Sequence, residues 1–185
     1  SILSAGRHFG FHTKVVWNKD ILGTIQTADG KSSYPISQSK TKIYDTKVYI
    51  AHGEGWIANK DVTRNHQDIE KYKIIIPRSG NPGGSIIGKP KISEPGSCSS
   101  NTYIVAIPNV NSLEIAQNVL SYLKTRMVRY LISVRTSTQD MAPKSYIFVP
   151  LQDFSETWTD EKLYKKYGIT NEEQLFIDTL IRPME

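Results

Sequence analysis

From residue 112 to 135 the chain reads SLEIAQNVLSYLKTRMVRYLISVR, with apolar residues at helical spacing. Leu113, Ala116, Leu120, Leu123, Met127, Leu131 and Val134 fall on one face, and Val119 and Tyr130 widen it. Asn111 has Glu114 three residues on, a capping-box pattern, and no Gly or Pro intervenes before Arg135. The spacing therefore predicts one long central helix over about 112–135. Val128 and Ile132 lie on a further side, so its last two turns are expected to be buried in two directions. Just upstream, Thr102 to Ile107 is a short β-branched run closed by Pro108, which reads as a buried strand.

Before this point the pattern is that of strands. His12 to Trp17 alternates, Ile21 to Thr27 ends at the hairpin signal Asp29-Gly30, and Lys42 to Ala51 forms a third run. Residues 52–55 read as a loop before Trp56-Ile57, Asn65 to Lys71 as a short polar helix or turn, and Tyr72 to Ile76 as a strand ended by Pro77. Between Arg78 and Ser100 the composition shifts to Gly, Pro and Ser. Ile86, Ile87 and Ile92 punctuate it, which predicts an ordered loop with one or two short strands. After the central helix, Tyr146 to Val149 reads as a strand. Thr159 caps a helix stopped by Gly168, and Thr170 with Glu173 opens another that runs to about Ile181.

The expected fold is α+β: a β-rich N-terminal sheet or barrel-like part, one long central helix and a short C-terminal helical pair. Residues 1–150 form the β-rich domain carrying the helix, and 151–185 a helical appendage packed on it.

Composition sets bounds on this picture. Of 185 residues, 38% are hydrophobic and 22% charged, which suits a folded chain and not a disordered one. Lys and Arg number 23 against 18 Asp and Glu, a net charge of +5, compatible with a polyanionic partner. Cys98 is the one cysteine, so no internal disulfide forms and a cytoplasmic setting is expected. No apolar run is long enough to span a membrane, and no secretory signal opens the chain. The opening at Ser1 reads as mid-sequence, so the chain is expected to be a fragment of a longer protein.

Most catalytic patterns are missing. The glycines of 80–88 fit neither a dinucleotide nor a P-loop spacing, and His8, His12, His52 and His66 lack metal-ligand spacing. No Gly-x-Ser-x-Gly elbow occurs. Asn81-Pro82-Gly83-Gly84 lacks the second Pro and the aromatic of an adenine-methylating motif, so the chain is not expected to methylate by itself. Asp20, Asp45 and Lys47 resemble the carboxylate and lysine set of a metal-dependent nuclease, a short pattern that also fits a polar strand face.

Basic residues are the remaining signal. Tyr122, Arg126, Arg129 and Ser133 share one flank of the helix, followed by Arg135, Thr136, Ser137, Thr138, Gln139 and Lys144. Arg and Gln suit bidentate contacts to purine edges, and Ser, Thr and Lys suit phosphates. The same arginines would equally pair with acidic neighbours such as Glu114 or Asp153.

Several stretches together carry a resemblance. SYLKTRMVRYLISVRTSTQD, SYIFVPLQDFSETWTDEKLYKKYGIT and EEQLFIDTLIRPM resemble the C-terminal part of bacterial restriction–modification proteins with an adenine-specific methylase. FGFHTKV, GWIANKDV, DIEKYKIIIPRSG and IIGKPKISEPGSCSSNTYIVA fit the same pattern, from about Phe9 to Met184. Met127-Val128 stands where that family usually has an aromatic pair, a departure that touches packing. The resemblance implies a target-recognition region that binds double-stranded DNA and is not itself an enzyme. The S-adenosylmethionine site would lie in an upstream methyltransferase domain of the same chain, with magnesium needed only if a nuclease is fused. No cofactor or metal is expected in this part.

The DNA-facing set is then Arg78, Ser79, Lys89 and Lys91 as a loop wall, with Arg126, Arg129, Arg135, Thr136, Ser137, Gln139 and Lys144 as the rest. Which of these reads bases is left open. Trp158, Tyr164 and Tyr167 read as core. The alternatives are a metal-dependent endonuclease domain using Asp20, Asp45 and Lys47, or a subunit-interaction module docking through the Val128/Ile132 face.

Overall fold

The computed structural model describes residues 11–14, 21–27, 33–51, 53–62, 64–81, 84–106, 108, 111–136 and 138–184. Nine strands and four α-helices are found among them. The strands are β1 (Phe11–Lys14), β2 (Ile21–Thr27), β3 (Ser33–Ser37), β4 (Thr46–Ile50), β5 (Gly53–Ile57), β6 (Lys73–Pro77), β7 (Lys91–Ser93), β8 (Ser97–Ser99) and β9 (Tyr103–Ala106). The helices are α1 (Leu113–Lys124), α2 (Arg126–Arg135), α3 (Asp160–Tyr167) and α4 (Asn171–Leu180). The class is α+β as expected. The β part is two sheets and not a closed barrel: a six-stranded sheet in the order β1-β2-β3-β5-β4-β8 and a three-stranded sheet in the order β7-β6-β9.

Alternation explains why the runs IIIP and YIVA are apolar throughout. Ile74 and Ile76 of β6, with Ile104 and Ala106 of β9, face the helices, and the intervening Ile75 and Val105 face the other way onto Tyr49 of β4. A strand covered on both faces needs hydrophobic residues at every position. The helical face holds the largest core, which α1 and α2 share with Trp158, Leu163, Tyr164, Ile177 and Ile181. Residues 151–184 thus complete the main core. The side chains of Asn118 and Tyr122 on α1 bind the carbonyls of Phe154 (2.9 Å) and Pro150 (2.6 Å), tying the incoming segment down. The six-stranded sheet packs a separate cluster around Ile36, Val48, Ile57 and Ile69.

The single long helix is corrected to two. Thr125 breaks it with extended backbone (φ −60°, ψ 149°), so Arg126 begins a new helix. Three acceptors hold that start. Thr125 Oγ1 takes Val128 N, and the Asp160 carboxylate takes Arg126 N (3.0 Å) and Met127 N (2.9 Å). Asp160 is itself the first residue of α3, so one carboxylate serves two helix N-termini, where the helix dipole favours negative charge. The Asn111 capping box does not form either. Ser112 is the N-cap, and the Asn111 side chain instead accepts from Tyr72 N and donates to Glu70 O.

Other boundaries also moved. The expected strand 146–149 does not form: a 3-10 turn (Pro143–Tyr146), which fits a proline at its first position, ends there, and 147–149 continue as turn and irregular chain. The expected loop 52–55 is mostly β5, in a tight hairpin pairing Ile50 with Gly53. No strand was expected at 33–37, where Pro35 interrupts the pattern. It is tolerated because β3 meets β5 only at Ser37↔Trp56, beyond the proline. The C-terminal pair is as read: Thr159 caps α3, Gly168 ends it at φ +64°, and Thr170 with Glu173 forms a complete capping box. Trp158 and Tyr164 are buried, but Tyr167 lies on the surface, its hydroxyl accepting from Gln152. Asp29-Gly30 and Trp17 lie outside the described residues.

Candidate functional site

Where β6 ends, three segments lie side by side. Arg78 N donates to Thr102 O (2.9 Å), Met141 N to Arg78 O (2.8 Å) and Gly80 N to Gln139 O (2.8 Å). Ser79 and Asp140 form an antiparallel bridge. Gly80 is required here, since a Cβ would lie 2.5 Å from the Ile86 carbonyl oxygen. A cleft of about 620 Å³ opens over this junction. Its walls are residues 77–79, 101–103 and 139–140, closed by Ala51. Arg78, Ser79 and Gln139, separated by some sixty positions in the chain, thus meet in one place.

The Arg78 guanidinium is held by Asp140. Nε donates to Oδ1 at 3.1 Å, and Nη2 lies 2.8 Å from both carboxylate oxygens. The Asp140 side chain is 66% exposed and that of Arg78 23%. Tyr103 forms part of the cleft wall, and its hydroxyl donates to Ile50 O at 3.3 Å. Lys91 sits over the aromatic pair behind it, 4.3 Å from the Tyr49 ring centre and 5.8 Å from that of Tyr103. Burial lowers the Lys91 pKa and raises those of both tyrosines. The cation–π arrangement holds the Lys91 ammonium against Tyr103, a residue of the cleft wall.

The remaining expected residues are scattered. Lys89 lies in a shallow depression of about 590 Å³ with Ser85, Arg182 and Met184. Arg126 pairs with Asp178 at 2.6 Å, neither Glu114 nor Asp153 being its partner. Arg135 and Lys144 are exposed. The Thr136 hydroxyl closes α2 by donating to Ile132 O at 2.8 Å. Ser137 lies outside the described residues.

Arg129 is a correction. It is 1% exposed, and its Nε donates to the carbonyls of Lys124 (3.0 Å) and Thr125 (3.2 Å). Its Nη1 donates to those of Ser85 (3.3 Å) and Arg182 (2.6 Å). Burial lowers its pKa, yet a guanidinium stays charged at ordinary pH. The helix break removes the common stripe: Tyr122 and Arg129 are interior, Arg126 is bound to α4, and Arg129 cannot face DNA. The Val128/Ile132 face is likewise no docking surface, since both side chains are buried in the protein's own core.

The nuclease pattern is not assembled among the described residues. Asp45 accepts from Asn59 N (2.9 Å), whereas Lys47 pairs with Glu54 (2.9 Å). Asp20 lies outside the described residues. No group of three His, Cys, Asp or Glu among those described is placed to hold a metal ion. Lys73 and Cys98 are both buried. The Lys73 ammonium donates to the carbonyls of Asp68 (3.0 Å), Ile69 (3.0 Å) and Lys71 (2.6 Å). Burial pulls its pKa down to about 8 and pushes the Cys98 thiol up to about 12.

Asp140, Asn101, Thr102 and Tyr103 are site residues that the sequence reading missed. Asp140 directly follows Gln139, but nothing local announces a partner at Arg78. Tyr103 sits at the head of an apolar strand and reads as core.

The chain matches no known family model, no curated protein and no solved structure. No helix among the described residues is long and apolar enough to cross a membrane.

Proposed function

We propose that this chain is a target-recognition domain that binds double-stranded DNA at the cleft between residues 77–80 and 139–141. The observation that carries the proposal is the meeting of Arg78, Ser79 and Gln139 in that cleft. These residue types suit base edges and phosphates, and they are mounted on paired backbone and not on a free loop. The cleft has the volume of a small-ligand pocket, so a duplex lies across it and inserts a base edge or a backbone segment. Lys91 on one flank, with exposed Arg135 and Lys144 in the neighbouring chain segments, supplies charge for the phosphates. The net charge of +5 has the required sign.

The resemblance of the helical and C-terminal stretches to restriction–modification proteins supports the same assignment. The resemblance implies S-adenosylmethionine chemistry in an upstream domain, with this chain as the part that selects the site. No catalytic residue is assigned here.

Fluorescence anisotropy with a labelled duplex tests the proposal. Log affinity should fall linearly with log salt, with a slope of roughly −0.9 per phosphate neutralised. Gln139→Ala should weaken binding severalfold without changing the melting temperature. Absence of duplex binding at low salt, or wild-type affinity in Gln139→Ala and Arg78→Ala alike, would remove the cleft as the DNA site.

A further inference from the structure

We infer that Arg78, positioned by Asp140, reads a guanine, an assignment that rests on the DNA-binding role proposed above. A guanidinium has two usable edges for bidentate contact, one formed by Nε and Nη2 and the other by Nη1 and Nη2. Asp140 occupies the first: Oδ1 accepts from Nε at 3.1 Å, and both oxygens lie 2.8 Å from Nη2. That contact fixes the plane of the group and leaves the Nη1/Nη2 edge as a pair of parallel donors. Both Arg78 and Asp140 line the cleft, so the restrained fork is at hand for whatever enters it.

Two ligand groups match such a fork, a phosphate and the O6/N7 edge of guanine. Asp140 decides between them. Its carboxylate is 66% exposed and adjoins the fork, so a phosphate approaching Arg78 meets a second negative charge. A guanine edge is uncharged and suffers no such repulsion. Holding the guanidinium before DNA arrives also lowers the ordering cost of a long side chain. Asp140 is therefore a positioning residue, acting through Arg78. Gln139, beside it in the cleft, has the amide suited to an adjacent adenine.

The experiment is selection of bound duplexes from a pool with a randomised segment, followed by sequencing, for wild type, Arg78→Ala, Arg78→Lys and Asp140→Asn. Circular dichroism and thermal melting check that each variant is folded. Wild type should enrich one guanine position, with discrimination of roughly five- to 150-fold against other bases. Arg78→Ala should erase that preference and leave the rest of the motif. Arg78→Lys should not restore it, because an ammonium lacks the fork. Asp140→Asn should weaken the same position alone, a readout that a merely structural role would not move. An unchanged motif in Arg78→Ala and Asp140→Asn overturns the inference. So does an Arg78→Ala loss that is equal for all sequences, since Arg78 would then be a phosphate contact. A wild-type chain that binds no duplex overturns the DNA-binding role, and this assignment with it.

Discussion

Arg78 and Arg129 belong to one residue type and are held in opposite ways. Arg78 stands at a cleft with a single exposed carboxylate on one edge of its fork. Arg129 is enclosed by four backbone carbonyls from three parts of the chain, residues 85, 124–125 and 182. The first arrangement leaves donors for a partner, while the second consumes them to join α1, α2, the backbone at Ser85 and the C-terminal segment. Arginine in a sequence thus signals either an interface or a strut. Burial and the identity of the acceptors separate the two.

The largest effect that would break this comparison is at Arg129. Arg129→Met leaves buried carbonyls without donors and should cost on the order of 3–5 kcal/mol in urea unfolding. A loss below about 0.5 kcal/mol, the usual range for surface substitutions, would mean that the guanidinium is not a strut.

Lys73 sharpens the contrast, since it too is a buried cation on carbonyls. Its folded pKa of about 8 lies below the ordinary lysine value, so between the two the unfolded chain binds more protons. The penalty for burying the charge is therefore full below pH 8 and disappears as pH rises to about 10.4. Relative to Lys73→Met, wild-type stability should climb by roughly 3 kcal/mol over that window, at no more than about 1.4 kcal/mol per pH unit. Parallel pH–stability profiles for the two proteins would place the ammonium in contact with water.

Asp160→Ala removes the acceptor of Arg126 N and Met127 N and should destabilise by about 1–2 kcal/mol, as loss of a helix cap does. Equal stability of this variant would argue for a continuous helix through Thr125. The smallest stability effect belongs to the cleft. Arg78→Ala should change unfolding free energy by less than about 1 kcal/mol, because a partly exposed ion pair contributes little. A loss comparable to that of Arg129→Met would make Arg78 a second strut.

Elements governed by local chemistry were legible in the sequence. The Thr159 and Thr170 caps, the Gly168 stop and the β6 and β9 strands follow from residues within a few positions of each other. The break at Thr125 was not, because the carboxylate that starts α2 comes from Asp160, 34 positions on. Pro35 hid β3, since only the lack of a β5 partner before Ser37 makes a proline acceptable there. The same limit applies to the site. Arg78, Ser79 and Gln139 were identifiable as residue types, but their meeting depends on the backbone pairing of 78–80 with 139–141. Arg129 looked equivalent to Arg126 because an unbroken helix would align them.

The most direct measurement is amide chemical-shift mapping by NMR as a duplex is titrated into the chain. The account predicts perturbations concentrated at residues 78–80, 101–103 and 138–141, with Arg129 and its carbonyl partners unaffected. Perturbations confined to another surface, such as the Lys162–Lys166 side of α3, or none at all, would contradict it.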